Sequence, residues 1–258
     1  MNSKRFLIQF QYLGFRFHGV QVQPGLPSIH SRIHKCLVKL FQENSFSLRF
    51  ASRTDALVSA EQSYFLVMFN DEQSIELLSQ ALHSLPPDIQ ILSIKSVHER
   101  FILLNQIESK VYHYYFAHSL ITHHAYAAPF MTILKEELDM NLIKEAAKRF
   151  EGTHDFSNYC YRPRVSTQFI RTINQCKIDI NDSLKASFFP ETTYKLIVES
   201  KGFMRGQVRL MVGAIFRVGR KQMSLDELDQ SLTEINPKFV KWMVPSSGLV
   251  LHKTILRE

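Results

Sequence analysis

The sequence predicts an α+β fold of two successive βαββαβ halves, on the strength of three observations. Apolar residues alternate with period two in several short segments of each half, as half-buried strands require. Each half also carries stretches with apolar residues at helical spacing. The two kinds of segment follow the same order twice, which points to sandwiches with helices packed on one face of a mainly antiparallel sheet. The 258 residues, 45% of them hydrophobic, are enough chain for two modest cores. The division is expected at 1–104 and 105–258, with the two halves joining into one extended sheet around a basic cleft.

In the first half, Lys4 to Tyr12 sets Phe6, Ile8 and Phe10 on one side of an extended chain, and a loop with Gly14, Gly19, Pro24 and Gly25 follows. Ser28 then precedes Ile29, Ile33, Leu37, Leu40 and Phe41, a helix expected to reach about Phe41. Strands are expected near Phe46 to Ser52 and Ser63 to Phe69. A second helix carries Ile75, Leu78 and Leu82, capped by Asp71 or Ser74 and ended by Pro86 and Pro87 before a strand from Ile89 to Val97.

The second half opens with a strand from Lys110 to Phe116, then a helix from about Asn141 to Phe150 stopped at Gly152. Strands over Phe169 to Ile180 and Tyr194 to Glu199 follow. Phe203 to Val218 places Val208, Met211, Val212 and Ile215 on one stripe, and Gly219 suits a left-handed position after that helix. Ser224 with Glu227 has capping-box spacing, and Leu249 to Leu256 supplies a last strand. No residue-level identity links the halves, so the repeat is one of architecture.

A formal net charge of +7 favours polyanionic partners. The three cysteines, Cys36, Cys160 and Cys176, have neither disulfide nor zinc spacing and fit a reducing cytosol. The start lacks the apolar core of a signal peptide, and no stretch approaches the roughly 18 apolar residues of a membrane span. Neither Gly-x-x-x-x-Gly-Lys nor Gly-x-Gly-x-x-Gly occurs, which argues against a nucleotide cofactor. His30 and His34 are four apart on a predicted helix and His123 and His124 are adjacent, but no carboxylate or cysteine nearby completes a set, so no metal is expected. A serine triad lacks its Gly-x-Ser-x-Gly elbow.

The residues most able to do chemistry are Ser52-Arg53-Thr54-Asp55-Ala56, between two predicted strands, where a loop can project side chains into a cleft. In extended backbone Arg53 and Asp55 share a side, and a guanidinium beside a carboxylate favours the ionised form that a nucleophile or base needs. The same three residues would also suit a turn closed by a surface ion pair. Arg205 and Arg209, four apart on a helix, can present two guanidinium forks to phosphates, with Lys201, Arg217, Arg220 and Lys221 adding positive charge. Tyr159, Tyr161, Arg162 and Arg164 interleave rings with charge, as RNA-binding loops do.

Arg53-Thr54-Asp55-Ala56 after a strand resembles the catalytic loop of the tRNA pseudouridine synthase A family. Other segments agree in order. Tyr12-Leu13-Gly14 and the Phe17-to-Gln23 stretch are similar to the family's Tyr-x-Gly, Phe-x-Gly and Gln-x-Gln loop. Lys110-Val111-Tyr112-His113-Tyr114 looks like its basic strand with two tyrosines, Gly152-to-Phe156 like its Gly-x-His-Asp-Phe, and Arg171-Thr172-Ile173 like its Arg-Thr-Ile. Phe203-Met204, Val208-Arg209, Val212-Gly213, Val218-Gly219-Arg220, Pro245 and Gly248-Leu249 complete the series.

The resemblance implies a pseudouridine synthase fold and a tRNA pseudouridine synthase that works as a cytoplasmic homodimer on uridines of the tRNA anticodon stem-loop, without a cofactor. It implies that Asp55 attacks or deprotonates the target nucleotide, Arg53 pairs with it and assists base extrusion, Tyr112 stacks on the base, and Arg209 holds Asp55 or phosphate. Thr54, Lys110, Tyr114, Lys201, Arg205 and Arg220 are the expected substrate-binding residues. The chain departs from the family at Ser52 and Leu57, where glycine is usual, at Ser59 in place of histidine, at Leu104 in place of arginine, at Val20 in place of tryptophan, and at Gly206-Gln207 in place of His-Met. Those changes leave two alternatives: a paralogue that modifies another RNA, or an idle RNA-binding or RNA-folding protein on the same scaffold.

Overall fold

The structure, a computed structural model, describes residues 2–118, 125–236, 239–240 and 242–257. In chain order its elements are β1 (Asn2–Tyr12), α1 (Ile29–Leu37), β2 (Phe46–Phe50), β3 (Ser59–Ser74), α2 (Ile75–Leu82) and β4 (Ile89–Ser96). There follow β5 (Ile107–His118), β6 (Thr132–Leu134), α3 (Met140–Arg149), β7 (Gly152–Asp155), β8 (Ile170–Ile180), β9 (Tyr194–Ser200), α4 (Gln207–Gly219), α5 (Leu225–Gln230) and β10 (Leu249–Leu256). Two compact units result, one of Met1–Glu108 with Leu251–Glu258, the other of Ser109–Val250. The sequence boundary assigned the whole closing strand to the second half. Most of it groups with the first, where His252 meets Glu61, 191 residues earlier, and a pairing over that separation leaves no trace in local periodicity.

In the first unit the strands run β4-β1-β3-β10, with β2 also paired to β3. Both β1 and β2 lie antiparallel to β3, with Phe6 opposite Val67 and Leu48 opposite the same residue. The alternation read in β1 is real: Phe6, Ile8 and Phe10 are buried on the helix side, where His30 of α1 packs on Phe50, which stacks on Phe65 and meets Phe10. Leu7 faces the other way into a smaller cluster with Ala51, Leu66, Leu103 and Ile107. Ser28 caps α1, its hydroxyl accepting from Ser31 N while Ser31 Oγ accepts from Ser28 N. The helix stops at Leu37, earlier than the apolar spacing predicts, and Phe41 reaches the core from the turn beyond. Of the two candidate caps of α2, Ser74 is the one used, accepting from Leu77 N at 3.2 Å.

The second unit arranges β5-β9-β8-β7 antiparallel, with β6 parallel to β5. Strands β6 and β7 have no counterpart in the sequence reading, since three or four residues are too few to show a period. Helix α4 is buried nearly all round, and α3 lies beside it. Gly219 is the last residue of α4 rather than a left-handed cap, a correction with a clear cause: a Cβ there would collide with the Ile143 side chain of α3. Lys221 takes the left-handed conformation instead, with φ 58°. The capping box at Ser224 and Glu227 forms as read.

Candidate active site

Asp55 stands in the short connection between β2 and β3, and main-chain atoms hold that connection. Val20 N donates to Thr54 O at 3.4 Å, Leu57 N to Phe17 O at 3.0 Å, and Val58 N to Asp55 O at 3.4 Å. The buried hydroxyls of Tyr12 and Thr54 are hydrogen-bonded at 2.9 Å, and burial of the Tyr12 phenol pushes its pKa far up, keeping it a neutral OH at any working pH. Gly19, at φ 84°, passes so close that a Cβ would lie 2.5 Å from Thr54 O, and one on Gly14 would overlap the Val58 carbonyl. The segments Tyr12-to-Gly14, Phe17-to-Val20 and Arg53-to-Ala56, separate in sequence, are thus knitted into one frame, with the Asp55 side chain half-buried upon it.

Four of the departures from the family's residues, Val20, Ser52, Leu57 and Ser59, fall in or beside this frame. Leu57, where glycine is usual, adopts φ 67°, a left-handed conformation that costs an L-residue about 1–2 kcal/mol. Ser59, in place of histidine, accepts from Gly14 N at 2.9 Å. Ser52 is buried and its hydroxyl has no partner among the described residues. Arg53 differs from the expectation: it is exposed and, among the described residues, forms no ion pair with Asp55. The chain turns at Ala56 and Leu57 immediately after Asp55.

In the second unit, β5 presents Lys110, Tyr112 and Tyr114 on one side, opposite Ser200, Val198 and Leu196 of β9. Tyr112 is 9% exposed and meets Phe203 edge-to-face, ring centroids 5.3 Å apart. Burial lowers the Lys110 amine to about 8, so near neutral pH it is only just protonated. Tyr114 is a correction. It is wholly buried, its hydroxyl donating to Pro245 O at 2.8 Å and bonded to Thr132 Oγ1 at 2.6 Å, and Phe216 of α4 packs on its ring. The same period that pairs it with Tyr112 carries it one step further under α4.

Arg209, on α4, donates from Nε to Val244 O at 2.9 Å. Arg220 is drawn into packing, bonded to Glu136 at 3.0 Å and stacked 5.0 Å from the Trp242 ring. Lys201 and Arg205 are exposed. Among the described residues no group of three or more His, Cys, Asp or Glu could hold a metal. His30 and His34 pack on Phe50 and Phe46, and burial lowers His30. His123 and His124 lie outside the described residues. The sequence reading missed Tyr12 and Ser59 as supports of the loop, since a buried hydroxyl bond across 42 residues has no local signature.

Comparison with known proteins bears on this frame. The family model described as "tRNA pseudouridine synthase" matches residues 146–255. Proteins named tRNA pseudouridine synthase A from Staphylococcus aureus strains JH1 and Newman are 27% identical over 257 residues, covering 98% of this chain and 91% of theirs. Over nearly its whole length the chain is similar to tRNA pseudouridine synthase A proteins. A solved Cbf5-Nop10-Gar1 complex aligns with 81% of this chain and 46% of that chain, at 15% identity and a TM-score of 0.33. No helix among the described residues is long and apolar enough to cross a membrane.

Proposed function

We propose that the protein isomerises uridine to pseudouridine in tRNA, in the anticodon stem-loop, with Asp55 as its catalytic carboxylate. The observation that carries this reading is the Asp55 frame: three short segments like the family's converge on one carboxylate and fix its backbone through atoms that do not depend on the replaced side chains. The reaction breaks the N1–C1′ bond of a uridine, joins C5 to the same C1′, releases the C5 proton and protonates N1. Electrons balance without an oxidant, reductant or cofactor.

Asp55 attacks or deprotonates the target nucleotide, and Thr54 holds the loop behind it through Tyr12. Tyr112 stacks on the extruded base, whose unstacking costs a few kcal/mol. Arg53, exposed, is free to follow the RNA and assist extrusion rather than to pair with Asp55. Arg209, Lys110, Lys201 and Arg205 supply positive charge for phosphates. Arg220, already paired with Glu136, is left out of the substrate set. The working form is a homodimer in the cytosol.

The test incubates the protein with tRNA tritiated at uridine C5 and follows tritium released to water. Wild type is expected to release it, and Asp55→Ala to abolish release while retaining RNA binding. Release unchanged in Asp55→Ala would overturn the role of Asp55. No release by wild type on any tRNA would favour an RNA-binding protein without turnover.

A further inference from the structure

Within the second unit, the stretch after β7 and the turn that enters α4 meet at one ring. Tyr161 N donates to Arg205 O at 2.9 Å, which anchors the two segments to each other. The Arg205 guanidinium lies 5.4 Å from the Tyr161 ring centroid and that of Arg162 lies 5.1 Å from it, both within cation–π range. Left-handed backbone makes the approach possible. Arg162 has φ 49°, and Gly206 has φ 69° with so little room that a Cβ would sit 3.1 Å from Tyr161 Cβ.

More positive charge surrounds this pair. Arg164 is exposed two residues on. Burial pushes the Cys160 thiol up, and the positive charges of Arg171 and Arg205 oppose that rise. Among the described residues none of Arg162, Arg164, Arg171 and Arg205 pairs with a carboxylate, whereas Arg16, Arg149 and Arg220 each do. Like charges gathered on one exposed ring repel one another until an anion arrives. Two planar forks beside an exposed aromatic face suit a phosphodiester flanked by a base, since guanidinium binds phosphate bidentately and the ring offers a stacking surface.

We propose that Tyr161, Arg162 and Arg205 form a clamp for a backbone phosphate of the RNA substrate, with Arg164 and Arg171 widening the positive field. The inference rests on the RNA reading above and adds a second foothold, made by a tyrosine that holds two arginines ready. The chain's surplus of seven positive charges favours a polyanion over a single free anion.

The experiment measures binding of an unmodified tRNA transcript by filter retention over a series of KCl concentrations. The proteins are wild type, the double variant Arg162→Ala with Arg205→Ala, Arg162→Lys and Tyr161→Leu. Removing one arginine–phosphate interaction should flatten the plot of log affinity against log salt by about 0.7–0.9, and the double variant is expected to remove at least one and to bind roughly tenfold more weakly. Arg162→Lys should keep the slope and lose a few-fold in affinity, because the charge remains while the fork does not. Tyr161→Leu should weaken binding at low salt by releasing both arginines. A double variant with wild-type circular dichroism, affinity and slope would overturn the clamp. Tritium release by wild type, read in parallel, judges the proposed activity separately: absence of release sinks that reading, while the salt slopes still decide the clamp.

Discussion

The Asp55 connection in the first unit and the β5–α4 face in the second reach their order by different routes. In the first, main-chain bonds, two glycine close approaches and one buried hydroxyl pair set the path of the chain. In the second, side chains on regular elements interlock: Tyr114 with Thr132 and Pro245, Tyr112 with Phe203, and Gly219 against Ile143. The difference shows why the departures from the family that lie around Asp55 do not dismantle its loop. Main-chain hydrogen bonds are indifferent to the side chain of the residue that makes them, so Leu57 can replace glycine and keep its bond to Phe17 O, and the Ser59 hydroxyl accepts from the Gly14 main chain, whereas a packed face depends on the identity of each group.

The comparison can be broken most severely at Gly14. Gly14→Ala drives a methyl into the Val58 carbonyl, so the connection must shift. Stability is expected to fall by about 1–3 kcal/mol in urea titration, and C5-tritium release by on the order of 10²-fold, because a small displacement of a catalytic group is that costly. Wild-type release from Gly14→Ala would show that the frame is softer than its close approaches imply.

A middle-sized effect is expected at Lys110. With its folded pKa near 8 and its unfolded value near 10.5, both states are protonated below pH 8, so the burial penalty is constant there. Between those values the unfolded chain holds a proton that the folded chain has lost. Stability attributable to Lys110 therefore rises with pH across that window, by at most about 1.4 kcal/mol per pH unit and less for its partial exposure. Lys110→Met should remove this rise, read as the difference between the two proteins' urea midpoints from pH 8 to 10. Parallel pH profiles would refute the assignment.

Leu57→Gly sharpens the contrast with the smallest change. Relief of the left-handed strain, about 1–2 kcal/mol, is offset by the greater freedom of an unfolded glycine, ~0.5–1 kcal/mol, so stability should stay level or rise by up to about 1.5 kcal/mol. A clear loss would mean that the leucine side chain, 39% exposed, itself holds the loop.

Taken alone, the sequence determined most elements and the loop that carries Asp55. Apolar residues at period two or at helical spacing report which face of each element is buried, and Ser28 and Ser224 mark helix starts because caps act within three residues. Neither signal reaches across the chain. Tertiary structure decided that Tyr114 is wholly enclosed while Tyr112, also buried, packs edge-to-face on Phe203, that Arg53 is exposed, and that Gly219 serves a helix contact rather than a turn. It also decided that most of β10 groups with the first unit and that Tyr161 gathers two arginines. Each of these depends on which distant segment supplies the neighbouring atoms, and local spacing carries no information about that choice.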